Sequence, residues 1–216
     1  MSSLVERFEK IQSNISSMNP KQTVKIIAVS KTFPLENIRP LIDYGHIHYG
    51  ENKVQEAISK WGNIKQKTQN LNLHMVGKLQ SNKAKDAVKL FDYIHSLDNQ
   101  KLADTLKKHE INLNKQIKYF IQVNIGNESQ KSGIPVQEVD PFYNYCKNEK
   151  KLNIVGLMVI PPNDNNTNKY FKSLYELNSS LALKELSMGM SEDYLKAIKF
   201  GATFVRVGSA IFGPRS

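Results

Sequence analysis

Eight short apolar segments alternate with helical patterns along most of the chain. The segments cover residues 25–30, 46–50, 72–77, 92–97, 117–125, 153–161, 184–189 and 202–210. Most are rich in Ile, Val, Tyr and Phe, and several are apolar on both faces, as in parallel strands that are fully covered. Seven helical patterns lie between them, at 35–44, 52–61, 81–91, 99–109, 135–148, 169–181 and 191–200. This alternation predicts a parallel α/β fold.

The number of repeats separates two α/β architectures. An open doubly wound sheet and a closed (β/α)8 barrel both alternate strands with helices, but eight repeats without a reversal favour the barrel. We therefore predict a single (β/α)8 TIM barrel over residues 24–210, preceded by an extra N-terminal helix within residues 1–20. A length of 216 residues is short for this fold, so we expect one domain, 1–216, without room for a second.

Small and polar residues mark the expected helix ends. Gly45 and Gly201 stand where helices would terminate, since glycine readily adopts the left-handed conformation of a C-terminal cap. Asn99 and Ser191 stand where helices would begin, and their side chains can accept hydrogen bonds from the first turn. These positions predict four helix boundaries.

Cysteine content and hydropathy indicate the compartment. The one cysteine, Cys146, excludes a disulfide framework and a Cys-rich zinc site. No segment approaches the roughly 18 apolar residues of a membrane helix. The first ten residues include Glu6 and Glu9 and lack the apolar core of a signal peptide. We expect a cytoplasmic protein without a membrane partner.

The net charge of +10 makes nucleic-acid binding worth testing. However, the lysines are spread over the whole chain, and only four of the 30 basic residues are arginines. Base and phosphate recognition favours the bidentate fork of arginine. We therefore expect a solvated, lysine-rich surface rather than dedicated nucleic-acid binding, which remains the alternative.

Lys31 directly follows the first apolar segment, in Ser-Lys-Thr. In a TIM barrel the active groups lie at the C-terminal ends of the strands, so this lysine would reach the barrel mouth. A lysine there can attack a carbonyl group and form a Schiff base. The alternative is a lysine that points outward to solvent.

Small residues follow the last two apolar segments, in SMGMS (187–191) and in RVGS (206–209). The loops after strands seven and eight commonly bind phosphate in these barrels, because their backbone N–H groups converge. Ordinary turn chemistry would also explain these residues. The candidate phosphate-binding residues are Ser187, Met190, Ser191, Gly208 and Ser209.

Arg206 lies inside the last apolar segment, where an unpaired charge is costly. It either supplies a planar donor inside the barrel or pairs with a carboxylate between strand and helix. Strands one and eight are neighbours in a closed barrel, so Lys31 and Arg206 would lie close together. A lysine, a phosphate cradle and an arginine together suit an aromatic aldehyde phosphate, pyridoxal 5′-phosphate (PLP).

Seven stretches resemble one known family, in family order and nearly end to end. They are AVSKTFP (28–34), YGENKVQEA (49–57), HMVGKLQSNK (74–83), VNIGNESQKSGI (123–134), GLMVIPP (156–162), LSMGMSEDYLKAI (186–198) and VRVGSAIFG (205–213). The chain resembles the pyridoxal phosphate homeostasis proteins (YggS/PROSC family). These are similar in fold to the N-terminal barrel domain of alanine racemase, a fold-type III PLP protein.

The resemblance implies a role for each candidate residue. Lys31 would hold PLP as a Schiff base, Asn52 would lie beside the cofactor, and Arg206 would lie near the pyridine nitrogen. The residues around the phosphate would be Ser187, Met190, Ser191, Gly208 and Ser209. No metal site and no dedicated catalytic residue are expected, and the segment between Pro162 and Lys169 is short for the family.

The resemblance also implies the activity. A cationic arginine at the pyridine nitrogen disfavours its protonation and weakens the cofactor as an electron sink. Racemases of this fold type compensate with a tyrosine from a second domain. We therefore expect a monomeric PLP carrier in intracellular PLP homeostasis, with apo PLP-dependent enzymes as candidate partners. The alternative is a PLP-dependent amino-acid racemase, with His74 or Tyr49 as its second acid–base.

Overall fold

A computed structural model of the chain describes residues 3–68, 70–128 and 130–214. Within these ranges the strands are β1 Lys25–Val29, β2 His48–Glu51, β3 Asn72–Met75, β4 Tyr93–Leu97, β5 Lys118–Asn124, β6 Ile134–Pro135, β7 Asn153–Val159, β8 Glu185–Met190 and β9 Phe204–Val207. The α-helices are α1 Ser3–Ser17, α2 Leu35–Asp43, α3 Val54–Lys67, α4 Ala84–Leu90, α5 Gln100–Leu113, α6 Val139–Asn144, α7 Thr167–Ser180, α8 Tyr194–Lys199 and α9 Ser209–Phe212.

Eight of these strands close into a parallel barrel. They are hydrogen-bonded in the order β4-β3-β2-β1-β9-β8-β7-β5, and pairing of β4 with β5 closes the ring. The predicted TIM barrel with an extra N-terminal helix is therefore confirmed. The extent of the domain over 1–216 stays a prediction, since its ends lie outside the described residues.

Strand β6 was not predicted, because Ile134 directly precedes the helical pattern at 135–148 and Pro135 is its first residue. It pairs with the end of β5, Ile134 opposite Val123. The chain reaches this position through Gly133, whose φ is +122° and whose added Cβ would lie 2.6 Å from the Asn124 nitrogen. Only glycine allows this approach without strain. The rest of the pattern forms α6 and a π-helical turn at Tyr145–Glu149.

Apolar side chains fill the barrel and the layer around it. The interior cluster consists of Ile27, Val29, Tyr93, Phe120, Met158 and Phe204. A larger core between the strands and the helices is anchored by the fully buried Trp61 and Tyr119. Burial on both faces explains why the strands are continuous apolar runs rather than alternating ones.

Helix α1 packs along the barrel through the five residues with helical spacing, namely Leu4, Val5, Phe8, Ile11 and Ile15. The Arg7 Nε donates to the Ile211 carbonyl oxygen at 2.6 Å and so attaches α1 to α9. No helix in the described ranges is long and apolar enough to cross a membrane.

Three of the four predicted helix boundaries are confirmed. Gly45 and Gly201 follow α2 and α8 with φ of +96° and +91°. The Asn99 side chain accepts from the Leu102 N–H at 2.8 Å and caps α5. The prediction for Ser191 is wrong, because α8 begins three residues later, at Tyr194. The Ser191 hydroxyl instead accepts hydrogen bonds from two N–H groups that follow β9.

Candidate functional site

Lys31 lies at the C-terminal end of the barrel, half-buried, two residues after the end of β1. The Val29 side chain, two residues before Lys31, belongs to the interior cluster. The Phe33 ring stacks on the Phe212 ring of α9, with centroids 5.1 Å apart. The loop that carries Lys31 is therefore fixed against the segment that follows β9.

A buried carboxylate at the end of β2 fixes the start of this loop. Glu51, fully buried at the end of β2, accepts from the Ser30 hydroxyl at 2.7 Å, the Lys60 ammonium at 2.9 Å and the Trp61 indole N–H at 2.9 Å, all through Oε1. The Lys60 ammonium also donates to the Ser30 carbonyl oxygen at 2.8 Å. The side chain and the backbone carbonyl group of Ser30 are thus fixed, directly before Lys31. The sequence prediction did not include this network, which depends on how α3 packs against β2.

Two backbone N–H groups after β9 converge on one oxygen. The Ser191 hydroxyl accepts from the N–H groups of Gly208 and Ala210, at 3.3 Å each. Ser209 lies between them and is exposed. An added Cβ at Gly208 would lie 3.4 Å from the Val29 carbonyl oxygen, so this loop touches the end of β1. These two donors lie beside the end of β1, the strand that precedes Lys31.

The loop after β8 turns its own carboxylate away from these donors. The Asp193 Oδ1 accepts from the Met190 N–H at 2.6 Å, which closes the turn. Gly189 has a φ of +90°, and an added Cβ would lie 2.7 Å from the Ala197 Cβ of α8. Met190 is exposed at the edge of the mouth. The small residues of this loop therefore allow a sharp turn against α8.

Arg206 points into the barrel and not toward the helices. It is 5% exposed. Its Nη1 donates to the Ser187 hydroxyl and its Nη2 to the Val159 carbonyl oxygen, both at 2.7 Å. None of the ion pairs among the described residues includes Arg206. Burial lowers the pKa of Arg206 to about 10, partly opposed by the Asp193 charge, so the guanidinium remains cationic at neutral pH.

The predicted residues separate into two groups. Lys31 and the residues of the two loops, Met190, Ser191, Gly208 and Ser209, surround the mouth. Ser187 is fully buried with Arg206 inside the barrel, away from the converging N–H groups. Asn52 follows β2, and its buried Oδ1 has no hydrogen-bond partner among the described residues. Its backbone oxygen would lie 2.4 Å from a Cβ added at Gly77, which keeps the two loops in contact.

Comparison with known proteins identifies the family. The family model for the alanine racemase N-terminal domain matches residues 7–216. The pyridoxal phosphate homeostasis protein of Pasteurella multocida is 36% identical over 225 residues, covering 97% of each chain. That of Aquifex aeolicus is 36% identical over 224 residues, covering 100% of this chain and 96% of the relative. The chain belongs to the pyridoxal phosphate homeostasis protein family.

A solved structure agrees with this assignment. PipY of Synechococcus elongatus, solved with PLP bound, superposes with a TM-score of 0.87 at 34% identity. The match covers 98% of this chain and all of PipY. The resemblance stated from sequence motifs is thereby confirmed, and the barrel mouth described above belongs to a homeostasis-family fold.

Three histidines inside this homeostasis-family barrel were not predicted as a group. The His48 Nδ1 lies 3.0 Å from the His74 Nε2, and the His74 Nδ1 lies 2.9 Å from the His95 Nε2. The His95 Nδ1 lies 2.8 Å from the Ser187 hydroxyl oxygen. Only His74 stood out in the sequence, although the three histidines lie on the consecutive strands β2, β3 and β4. No group of metal-ligating side chains among the described residues could hold a metal ion.

The loop between Pro162 and Lys169 is organised by one aspartate. The Asp164 carboxylate accepts from the Asn166 N–H at 2.8 Å and from the Tyr170 hydroxyl at 2.9 Å. Its carbonyl oxygen accepts from the Thr167 hydroxyl at 3.3 Å. These bonds fold the exposed loop onto the start of α7.

Proposed function

We propose that the chain binds PLP at the barrel mouth and serves as a reversible PLP carrier in homeostasis. Bound PLP supplies an aldehyde, which the Lys31 amine attacks to form a Schiff base with release of water; addition of water reverses the reaction. The proposal is supported by the similarity to PipY, which was solved with PLP bound, and to relatives named pyridoxal phosphate homeostasis proteins. Apo PLP-dependent enzymes as recipients, a monomeric state and a cytoplasmic location remain predictions.

The residues at the mouth are suited to several of the polar groups of PLP. The N–H groups of Gly208 and Ala210, which converge on Ser191, are suited to the phosphate. The buried amide oxygen of Asn52, without a partner among the described residues, is suited to a polar group of the ligand. Lys31 lies on the loop that contacts the same segment, through the stacking of Phe33 on Phe212 in α9.

Arg206 is the observation that carries the proposal. It is a buried cation with two neutral acceptors, and it lies on β9, the strand that pairs with β1. A guanidinium only donates hydrogen bonds, so it favours a ligand nitrogen that presents a lone pair. PLP with an unprotonated ring nitrogen is a poor electron sink. The site therefore suits holding PLP better than stabilising a carbanion on it.

The geometry does not favour the racemase alternative. A racemase needs a second acid–base group that faces Lys31 across the ligand. The Tyr49 ring packs against Trp61 of α3, with centroids 4.8 Å apart, and burial raises the pKa of its hydroxyl. His74 lies inside the barrel beyond His95 as seen from Arg206. Neither candidate side chain reaches the mouth.

The test is a visible absorbance spectrum of the purified protein after incubation with PLP and removal of excess ligand. We expect a yellow protein, bleached by borohydride, with the reduced adduct mapped to Lys31 by mass spectrometry. Lys31→Ala should remain colourless. Lys101→Ala, at an exposed lysine on α5, is the matched control and should remain yellow. A colourless wild type, or an adduct on another lysine, would refute the proposal.

A further inference from the structure

Five polar side chains form an unbroken chain of hydrogen bonds through the barrel interior. Together, His48, His74 and His95 are named the histidine chain. It leads from the N-terminal end of β2 to Ser187, whose hydroxyl also accepts from the Arg206 guanidinium. Every contact is between 2.7 and 3.0 Å. Such a chain has a direction, which its protons define.

The three rings are neutral and held in place. Burial lowers the pKa of His48 to about 4 and those of His74 and His95 well below their usual value. The charges near His48 are those of Lys25 and Lys118, which act in the same direction, and of Asp92, which opposes them. A neutral imidazole has one N–H and one lone pair, so each ring both donates and accepts once.

Stacking restricts rotation of the two inner rings. The His95 ring stacks on Phe120 with centroids 4.3 Å apart, and the His74 ring stacks on Tyr93 at 4.4 Å. Each ring therefore keeps the same nitrogen toward each neighbour. Only two arrangements of protons remain, with all the N–H bonds pointing toward Ser187 or all pointing away from it.

Arg206 selects between the two arrangements. Its guanidinium can only donate, so the Ser187 oxygen accepts. Among the described residues, the other polar atom bonded to this hydroxyl is the His95 Nδ1. If that nitrogen also donated, the Ser187 proton would be buried without an acceptor, which is strongly unfavourable. Ser187 therefore donates to His95, and the N–H bonds of the chain point away from Arg206.

We infer that the histidine chain positions Arg206, orienting its guanidinium through Ser187 and stabilising its charge with aligned dipoles. Every lone pair in the chain faces the cation, and aligned hydrogen bonds strengthen one another. A carboxylate partner would also orient the arginine, but it would cancel the charge. Neutral dipoles leave that charge uncancelled inside the barrel. Its action on a PLP ring nitrogen there rests on the proposed function, whereas the direction of the chain does not.

The first experiment uses the protein without PLP. Long-range ¹H–¹⁵N NMR of ¹⁵N-histidine protein distinguishes the two neutral tautomers. His48, His74 and His95 should all carry the proton on Nε2, with His109 of α5 as the reference outside the chain. Single histidine substitutions assign the signals. A proton on Nδ1 of His74 or His95, or a charged ring at neutral pH, would overturn the inference.

The second measurement asks whether Arg206 sets the direction. In Arg206→Met the Ser187 hydroxyl is free to accept from His95, so His95 should no longer show a single Nε2–H pattern. An unchanged His95 pattern in this variant would overturn the role of Arg206. This result, like the first, does not depend on PLP binding.

The third measurement separates positioning from packing. His95→Phe keeps a ring that can stack on Phe120 but loses both hydrogen bonds. His95→Asn loses the ring but places an acceptor oxygen near the position of Nδ1. If the chain positions Arg206, the PLP dissociation constant should rise about tenfold in His95→Phe and recover in His95→Asn. Tighter binding by His95→Phe than by His95→Asn would indicate packing alone and overturn the inference. A wild type that binds no PLP would refute the proposed function. The NMR result would still determine the direction of the N–H bonds in the histidine chain.

Discussion

Two cations with little exposure to solvent lie close to the C-terminal end of this barrel and are compensated in different ways. The Lys60 ammonium lies in the helix layer, 2.9 Å from the Glu51 carboxylate, with side-chain exposures of 11% and 0%. The Arg206 guanidinium lies in the barrel interior and donates to two neutral oxygens, of Ser187 and Val159. The Lys60 charge is cancelled by a carboxylate, whereas the Arg206 charge is not.

The difference follows from what each cation must do. The Lys60–Glu51 pair fixes the backbone and side chain of Ser30, and cancellation of its charges is harmless behind the site. We propose that Arg206 lies near a ligand nitrogen, and a carboxylate partner would cancel the charge that acts on that nitrogen. Compensation of the Arg206 charge by neutral groups is sensitive to acid, because it depends on histidines that stay unprotonated.

Acid should therefore weaken the fold through its histidines, and this is the largest effect we expect. Burial lowers the pKa of His46 and His48 to about 4 and the pKa values of His74 and His95 well below the usual value. Above about pH 6.5 both folded and unfolded histidines are neutral. Between about pH 6.5 and pH 4 only the unfolded chain takes up protons at these histidines, so stability falls as pH falls. The loss is up to about 1.4 kcal/mol per pH unit for each histidine.

Urea unfolding between pH 7.5 and 5 measures this loss, and the total should reach several kcal/mol. His48→Gln should weaken the pH dependence of the free energy of unfolding by up to the contribution of one proton, about 1.4 kcal/mol per pH unit, since glutamine does not titrate. His109→Gln, outside the histidine chain, is the matched control for the replacement of a histidine by glutamine. A free energy of unfolding that does not change over this range would show that the buried rings are not neutral donors and acceptors.

Loss of the Glu51 charge should give the next largest effect. Glu51→Gln keeps an oxygen for Ser30 and Trp61 but leaves the nearly buried Lys60 ammonium without a counter-charge. Breaking a buried pair in this way costs about 3 kcal/mol in the free energy of unfolding. Glu56→Gln is the control, because its pair with Lys53 is exposed and contributes less than about 0.5 kcal/mol. Equal urea midpoints for the two variants would contradict the contrast between the two pairs.

The fold was predictable because it depends on patterns that are local in the chain. Five residues at helical spacing predicted α1, and all five are buried. Continuous apolar segments predicted the strands, and closure of the barrel then placed β1 beside β9. Lys31 and Arg206 could be related to each other only through that closure, since 174 positions separate them in the sequence.

The interior of the site was not predictable, because it depends on register and rotamers. The register of β8 against β9 shifts between Ser187 and Met190, so simple alternation does not give the depth of either side chain. Ser187 consequently lies with Arg206 rather than with the loops. Similarly, the bonds between His48, His74 and His95 require rings rotated toward one another, and sequence spacing carries no information about that rotation.

Removal of the Arg206 charge should have the smallest effect on stability and a large one on the ligand. Arg206→Met leaves the Val159 carbonyl oxygen without a donor, but it also removes a buried cation that has no carboxylate partner among the described residues. The two effects oppose each other, so we expect a loss of about 1 kcal/mol in the free energy of unfolding.

If Arg206 lies near the ring nitrogen as we propose, the same variant should change the pH dependence of the visible spectrum of bound PLP, because the nitrogen would no longer lie near a cation. Arg206→Lys, which keeps the charge but not the planar fork, should preserve more of the wild-type pH profile. If Arg206→Met destabilised the fold as much as Glu51→Gln, the two cations would serve the same structural purpose. The histidine chain would then act as a counterpart to Glu51, and not as a means of leaving one charge exposed to the ligand.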